Sequence, residues 1–371
     1  MANIFPRGLA LGKAFYDRVN ERKKLKSNIE HTIHSVLIAP RRYGKTSLIA
    51  QVLYEHKVNH VWIDFMTITS KEDLQAKLLQ KIGELVVEIV PTAEKLKKVL
   101  AKYFKKLKPE LTFKVPGIHL ALKLNQDEES NKEGITEALI SLDRLAQEVN
   151  KRLVMVFDEF QEILRIDEES TLQGSIRHAV ERSQNVTYLF SGSKHRPLRR
   201  MFNGKENPLY ALCENIPLDK IAKEDYVAFI NKAATKKWGK PLEDSIMEKI
   251  LSYSDRYPKY INALCSALWV SGEKPTDKVV DELWLSYLFS KKTDITEELS
   301  DLTLNQRKLL QWLCLEPASE LYSQKILQEL RMPQSSLQKA VDVLLEKDFI
   351  TEENGVYKVL DPIWGSYFKT F

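Results

Sequence analysis

Cysteine is scarce in this chain of 371 residues: Cys213, Cys265 and Cys314 stand far apart, each inside an apolar segment. That excludes a disulfide framework and a thiolate metal cluster, and makes a reducing cytoplasm the expected setting. The seven histidines form no HExxH and no helical pair suited to a metal. Glycine and proline number only 13 and 14, which rules out collagen-like and low-complexity classes. Long apolar runs are missing too. Nothing approaches the ~18 residues that span a bilayer, and the opening MANIFPRGLALG lacks the apolar core of a secretion signal, so a soluble protein is expected. Nor does one sign of charge dominate. The 56 Lys and Arg against 51 Asp and Glu leave +5, too small a surplus over this length to imply a nucleic-acid partner by itself.

What is present is an ordinary globular composition, 43% apolar and 29% charged, on a chain long enough for two or three domains. Apolar runs rich in β-branched residues recur at Ser35–Ala39, Val61–Phe65, Leu153–Phe157 and Val186–Phe190, with 3.6-period stretches between them. Strands buried on both faces and joined by helical crossovers give a parallel α/β sheet. Asn215–Leu218 is a shorter candidate strand. Beyond Lys220 helical patterns take over. Four or five helices are expected from Lys223 to about Phe289, punctuated by Gly239, Pro241, Pro258 and Gly272. The polar stretch Lys291–Asp301 reads as a connection to helices near Asn305–Cys314, Ser323–Leu330 and Ser335–Lys347. A hairpin turning at Asn354-Gly355 follows, which makes a winged helix. The expected domains are therefore 1–219, an all-α domain at 220–295, and a winged helix at 300–371.

One insertion, at about 92–125, interrupts the first domain. Seven lysines and no acid lie between Glu94 and Pro109, while Leu96, Val99, Leu100, Tyr103, Phe104 and Leu107 recur on the opposite face of a basic amphipathic helix. Then Leu111, Phe113 and Val115 alternate, Pro116-Gly117 turns, and Ile118, Leu120, Leu122 and Leu124 alternate again, as in a β-hairpin.

The strongest chemical signal is Ala39-Pro40-Arg41-Arg42-Tyr43-Gly44-Lys45-Thr46, between the first strand and the helical run that starts at Ser47. It has the spacing of a phosphate-binding loop (Walker A), with Ala39 in place of the first glycine. Backbone N–H groups and a helix N-terminus would face anionic oxygens. Gly44 would let the backbone approach phosphate, Lys45 would pair with the β and γ phosphates, and Thr46 would offer a hydroxyl to Mg²⁺. A methyl at Ala39 is tolerable if φ is negative, and Pro40 keeps the residue before it extended. Arg41 and Arg42 fit the loop's outer edge, as solvated residues or as contacts to nucleotide or a neighbour.

The third strand runs into Asp158-Glu159 at its carboxyl end, where open α/β sheets collect ligands. In this Walker B pattern Asp158 would hold the Mg²⁺ shell and Glu159 would deprotonate the attacking water. An acid pair opening a helix is the plainer alternative. The fourth strand ends in Ser191-Gly192-Ser193, where the Ser193 hydroxyl could sense the γ-phosphate or a plain Ser-Gly turn could stand. Arg196, Arg199 and Arg200 are a solvated cluster or an arginine finger toward a second subunit.

With these residues in hand, the sequence resembles the AAA-type ATPases often called the archaeal ATPase family, of the signal-transducing STAND lineage and kin to origin-recognition ATPases. Phe15-Tyr16-Asp17-Arg18 with Glu21 is similar to that family's N-terminal box, with Asp17 where glycine is usual. APRRYGKTSL, VFDEFQE with Gln161, LFSGS, and Asn207 to Tyr210 match in order. Tyr257-Pro258 with Tyr260 resembles the lid motif, and Asp361-Pro362-Ile363-Trp364 the end of the winged helix. The resemblance implies a five-stranded sheet in the order 5-1-4-3-2 and an ATP or ADP clamped by core and lid. It also implies Arg18 and Pro258 near the nucleotide, and slow, switch-like turnover.

Three functions are then in play. The first is an ATP-driven conformational switch whose winged helix docks a protein partner. The second is a DNA-binding ATPase using the winged helix and the lysine-rich helix, and the third binds nucleotide without turnover. Charge weakens the second, because Thr303–Phe371 carries eight Lys and Arg against nine Asp and Glu, whereas a domain neutralising phosphates should be basic. The presence of both Lys45 and Glu159 weakens the third. A homo-oligomer is compatible with all three.

Overall fold

The computed structural model describes residues 4–371 except 91, 106–109, 115–116, 122–127 and 194, with backbone alone for 110–114, 117–121, 128–133 and 195–196. The chain forms two compact units. One comprises Arg18–Ala39 and Lys45–Leu218; the other comprises Met1–Asp17, Pro40–Gly44 and Asp219–Phe371.

In chain order the first unit contains α1 (Val19–Glu30), β1 (Ser35–Ile38), α2 (Lys45–His56), β2 (Asn59–Asp64), α3 (Lys71–Ile89) and α4 (Ala93–Tyr103). These are followed by β3 (Glu110–Lys114), β4 (Gly117–Ala121), α5 (Glu128–Glu148), β5 (Leu153–Asp158), α6 (Thr171–Val180), β6 (Val186–Gly192), α7 (His195–Asn203) and β7 (Glu214–Asn215). The sheet order is β2-β5-β6-β1-β7, all parallel. With the inserted hairpin set aside, this is the expected 5-1-4-3-2 read from the opposite edge. Every residue of β1, β5 and β6 is buried, because helices cover both faces, and so these strands read as unbroken apolar runs. The edge strand β7 has two residues, shorter than the expected Asn215–Leu218.

The insertion holds α4 and the strands β3 and β4. Thr92 caps α4 by accepting from Lys95 N–H. Leu96, Val99, Leu100 and Phe104 are buried in the core of this unit, while Lys98 pairs with Glu94 and Lys102 with Glu148. The apolar face of the basic helix is therefore already covered. Strands β3 and β4 pair antiparallel, Leu111 opposite Leu120 and Phe113 opposite Ile118. Val115, Pro116, Leu122, Leu124 and the lysines beyond Lys105 lie outside the described residues.

The second unit holds four helices, α8 (Lys223–Trp238), α9 (Asp244–Ser254), α10 (Pro258–Ser271) and α11 (Asp277–Ser300). After them come α12 (Leu304–Leu313), α13 (Gln324–Leu330), α14 (Gln334–Glu346), β8 (Ile350–Glu353), β9 (Val356–Val359) and α15 (Pro362–Thr370). Gly239 and Gly272 end α8 and α10 in the left-handed region, as helix-terminating glycines do. Lys291–Asp301 is not a connection. It continues α11, because no proline or glycine interrupts it and Ile295 and Leu299 extend the buried stripe of Trp284 and Leu288. The break falls at Thr303, whose side chain and that of Gln306 form a capping box for α12. β8 and β9 form the wing, turning at Asn354-Gly355, both at positive φ. α15 was not foreseen, although Asp361 caps it and Pro362 occupies its first turn. The N-terminal segment joins this unit through Phe5, fully buried against Phe229 and Trp269, and Tyr16, stacked on Phe229.

Candidate functional site

In the α/β unit the chain leaves β1 through Ala39, fully buried and outside the left-handed region, so its methyl is accommodated as the sequence required. Lys45 opens α2. Its side chain is buried and its ammonium donates to the Ala39 carbonyl at 2.8 Å, which ties the two ends of the loop. Thr46 follows, and its hydroxyl donates to Asp158 Oδ2 at 3.0 Å.

Asp158 ends β5. Its Oδ1 accepts from the Ser191 hydroxyl at 2.5 Å and from Glu159 N–H at 3.1 Å. Burial pushes its carboxyl above the usual carboxylate range, against the hydrogen bonds from Ser191 and Thr46 and the nearby Lys45 charge. A buried carboxylate beside a hydroxyl suits a hard dication with oxygen ligands, since magnesium takes few protein donors and keeps waters and phosphate oxygens. Among the described residues no group of three or more His, Cys, Asp or Glu forms a denser metal cluster.

Glu159 turns the chain out of the sheet at φ +50°, and the 3-10 helix Phe160–Arg165 follows. That turn brings its carboxylate to the end of β6. Oε2 accepts from Gln161 Nε2 at 2.7 Å, the Ser193 hydroxyl at 2.7 Å and Ser193 N–H at 3.2 Å. The acid pair therefore does not open an α-helix. Ser193, the expected sensor, stands with Glu159, whereas Ser191, which the sequence does not single out, holds Asp158. The sequence gives Gln161 no role beyond its place in VFDEFQE. Its seat depends on Gly192, where an added Cβ would lie 2.0 Å from Gln161 Oε1.

The remainder of the loop, Pro40–Gly44, belongs to the other unit. Gly44 lies at φ +85°, and a Cβ there would make only an ordinary 4.0 Å contact with Pro258 Cγ. Backbone conformation, rather than crowding, demands the glycine. Arg42, also left-handed, ion-pairs with Asp361 and donates to the Tyr260 hydroxyl, which in turn donates to Asp361 Oδ1 at 2.6 Å. Tyr43 packs edge-on against Tyr257, whose hydroxyl donates to the Leu360 carbonyl. Pro258 begins α10, so its missing N–H forfeits no helical bond.

Of the other expected residues, Arg41 is exposed and Ser47 is half-buried in the first turn of α2. Arg18 is buried and pairs with Glu21 at 3.0 Å. Asp17 and Arg18 both take positive φ, so the position where glycine is usual does require the left-handed region. Arg199 and Arg200 are exposed on α7, Arg200 lying 3.8 Å from Glu206; the Arg196 side chain lies outside the described residues. The thiols of Cys213 and Cys265 are pushed up by burial, as inert packing residues are.

The family model for a probable winged helix domain matches residues 295–370. Among solved structures, the chain is similar to the Walker-type ATPase PABY2304 of Pyrococcus abyssi, with a TM-score of 0.71 at 19% identity over 99% of both chains. It is also similar to the ORC2 protein of Aeropyrum pernix in its ADPNP–ADP complexes, with a TM-score of 0.57 at 11% identity over 100% of this chain and 97% of that one. The ADP form of that protein gives 0.53 at 12% identity, covering 99% and 97%. No curated protein matches the chain. At these identities the likeness establishes the fold: a five-stranded parallel α/β sheet, a helical domain and a C-terminal winged helix. Among the described residues no helix is long and apolar enough to cross a membrane.

Proposed function

We propose that the protein is an ATP-binding, slowly ATP-hydrolysing switch in which nucleotide state is coupled to the lid and winged helix. The observation that carries this reading is the double attachment of one loop. Its end, Lys45 and Thr46, stands with Asp158, while Arg42, just before it, is gripped by Asp361 and Tyr260. In the chemistry that these residues support, Lys45 and the backbone at Gly44 hold the β and γ phosphates. Glu159 takes a proton from water as the water oxygen bonds to the γ-phosphorus. The bond to the β,γ-bridging oxygen breaks and ADP leaves with its electron pair. Thr46 and Asp158 fit a magnesium ion, which when bound neutralises charge on the phosphates. The relatives' names, a Walker-type ATPase and a protein solved with ADPNP and ADP, agree with this assignment.

The winged helix is read as a protein-docking module. From Gln334 to Val359, the span of α14 and the wing, three lysines stand against five acids, and Glu352 and Glu353 lie on β8 of the wing. Such a surface repels a phosphate backbone.

The test compares ATP affinity and turnover in wild type, Lys45→Ala and Glu159→Gln. Wild type should bind and slowly hydrolyse ATP, and Lys45→Ala should lose binding. Glu159→Gln should keep binding and lose about a hundredfold or more in kcat. Duplex DNA should leave the rate unchanged. Undiminished turnover in Glu159→Gln would remove that residue as the base, and wild type that ignores ATP would overturn the assignment.

A further inference from the structure

We propose that Gln161 is a positioning residue for the base. With Ser193 it pins one carboxylate oxygen of Glu159, so that the other oxygen alone is presented to the attacking water. This rests on the ATPase reading above.

Three donors converge on Oε2 of Glu159, two of them from Ser193 at the end of β6 and one from Gln161 in the 3-10 helix. Oε1 receives no hydrogen bond from the described residues. A glutamate side chain on rotatable bonds otherwise spreads its carboxylate over many orientations, and anchoring one oxygen from two elements fixes where the second points. Gln161 is suited to the task because it is neutral. An arginine in its place would ion-pair with Glu159 and take up the lone pairs that the proton needs.

Packing alone does not explain Gln161. The side chain is 3% exposed, and its Oε1 is buried without a hydrogen-bond partner. An orphaned amide oxygen burdens the folded state, and an apolar side chain of the same length would avoid that penalty. The site is also built for this residue, since any Cβ at position 192 would collide with the amide. In the hydrolytic step the water proton goes to Glu159 Oε1, the water oxygen bonds to the γ-phosphorus, and the departing bridging oxygen keeps its electron pair on ADP.

The test is Gln161→Met, which keeps the length of the side chain and removes both donor and orphan oxygen. Thermal midpoint, ATP affinity and steady-state kinetics are measured on the full chain. A positioning role requires a midpoint equal to or above wild type, ATP affinity within about twofold, unchanged KM, and kcat lowered about ten- to a hundredfold. A normal kcat, or a kcat that falls only together with the midpoint, overturns the proposal. If the Met variant does not fold, Gln161→Leu carries the same test. Wild type and Glu159→Gln run alongside: if they turn over equally, the reading of Glu159 as base falls and takes this proposal with it, whereas active wild type with an unimpaired Gln161→Met removes Gln161 alone.

Discussion

His34 shows how far a single side chain can be read only once its neighbours are known. Its Nδ1 accepts from Tyr188 N–H at 3.2 Å and its Nε2 faces the Val180 carbonyl at 3.0 Å, so these partners select the neutral tautomer with hydrogen on Nε2. Burial lowers its pKa, although the Val180 carbonyl and Asp143 oppose that shift. The unfolded chain therefore binds a proton more readily than the folded one, and stability is present above about pH 6.5 and lost as pH falls below it. The thermal midpoint should drop as pH falls below about 6.5, and His34→Gln should flatten that dependence. An equally steep profile in the variant would assign the effect elsewhere. From sequence, His34 was merely one of seven histidines outside any motif. The candidate site residues were far more legible, because Gly44, Lys45, Thr46, Asp158 and Glu159 follow spacings that phosphate chemistry would impose. Gln161 and Ser191 were not, since their roles depend on the left-handed turn at Glu159 and on which strand ends lie side by side.

At the scale of elements, buried parallel strands and capped helices are legible in sequence, whereas a polar helix resembles irregular chain. Lys291–Asp301 is hydrophilic on most of its circumference, yet Ile295 and Leu299 keep it on the stripe of α11. Helix or connection makes opposite predictions for a proline. Thr293 is exposed, so Thr293→Pro changes little beyond the backbone. It should lose about 3 kcal/mol or more if the helix is continuous, against only about 0.5 kcal/mol or less for Thr293→Gly. Denaturant midpoints of the two variants decide the matter, and a harmless proline would restore the connection. The missed α15 had its signals in place: an aspartate cap, a proline in the first turn, and Ile363, Trp364, Tyr367 and Phe368 on helical spacing. In sequence the same residues also fit the motif that ends the winged helix, which masks the helix start.

On the scale of the whole molecule, the chain's route matters more than the list of its domains. Pro40–Gly44 belong to the unit that holds the helical domain and winged helix, and Lys45 to the unit that holds the sheet. No sequence rule foretold that division, because Arg42 and Asp361 are remote in the chain and neither is unusual where it stands. Their ion pair is mostly shielded from solvent, with 24% and 19% of the side chains exposed, so screening discounts it less than it does a surface pair. Asp361 also accepts from Ile363 N–H at the start of α15, and asparagine can keep that cap while giving up the charge. Asp361→Asn thus separates coupling from folding. In wild type, ATP should change amide hydrogen exchange across Val356–Phe371, because an event at the loop biases the element that holds Arg42. In Asp361→Asn that response should shrink severalfold while ATP still binds. A response of full size in the variant would show that the signal reaches the winged helix by some path other than Arg42.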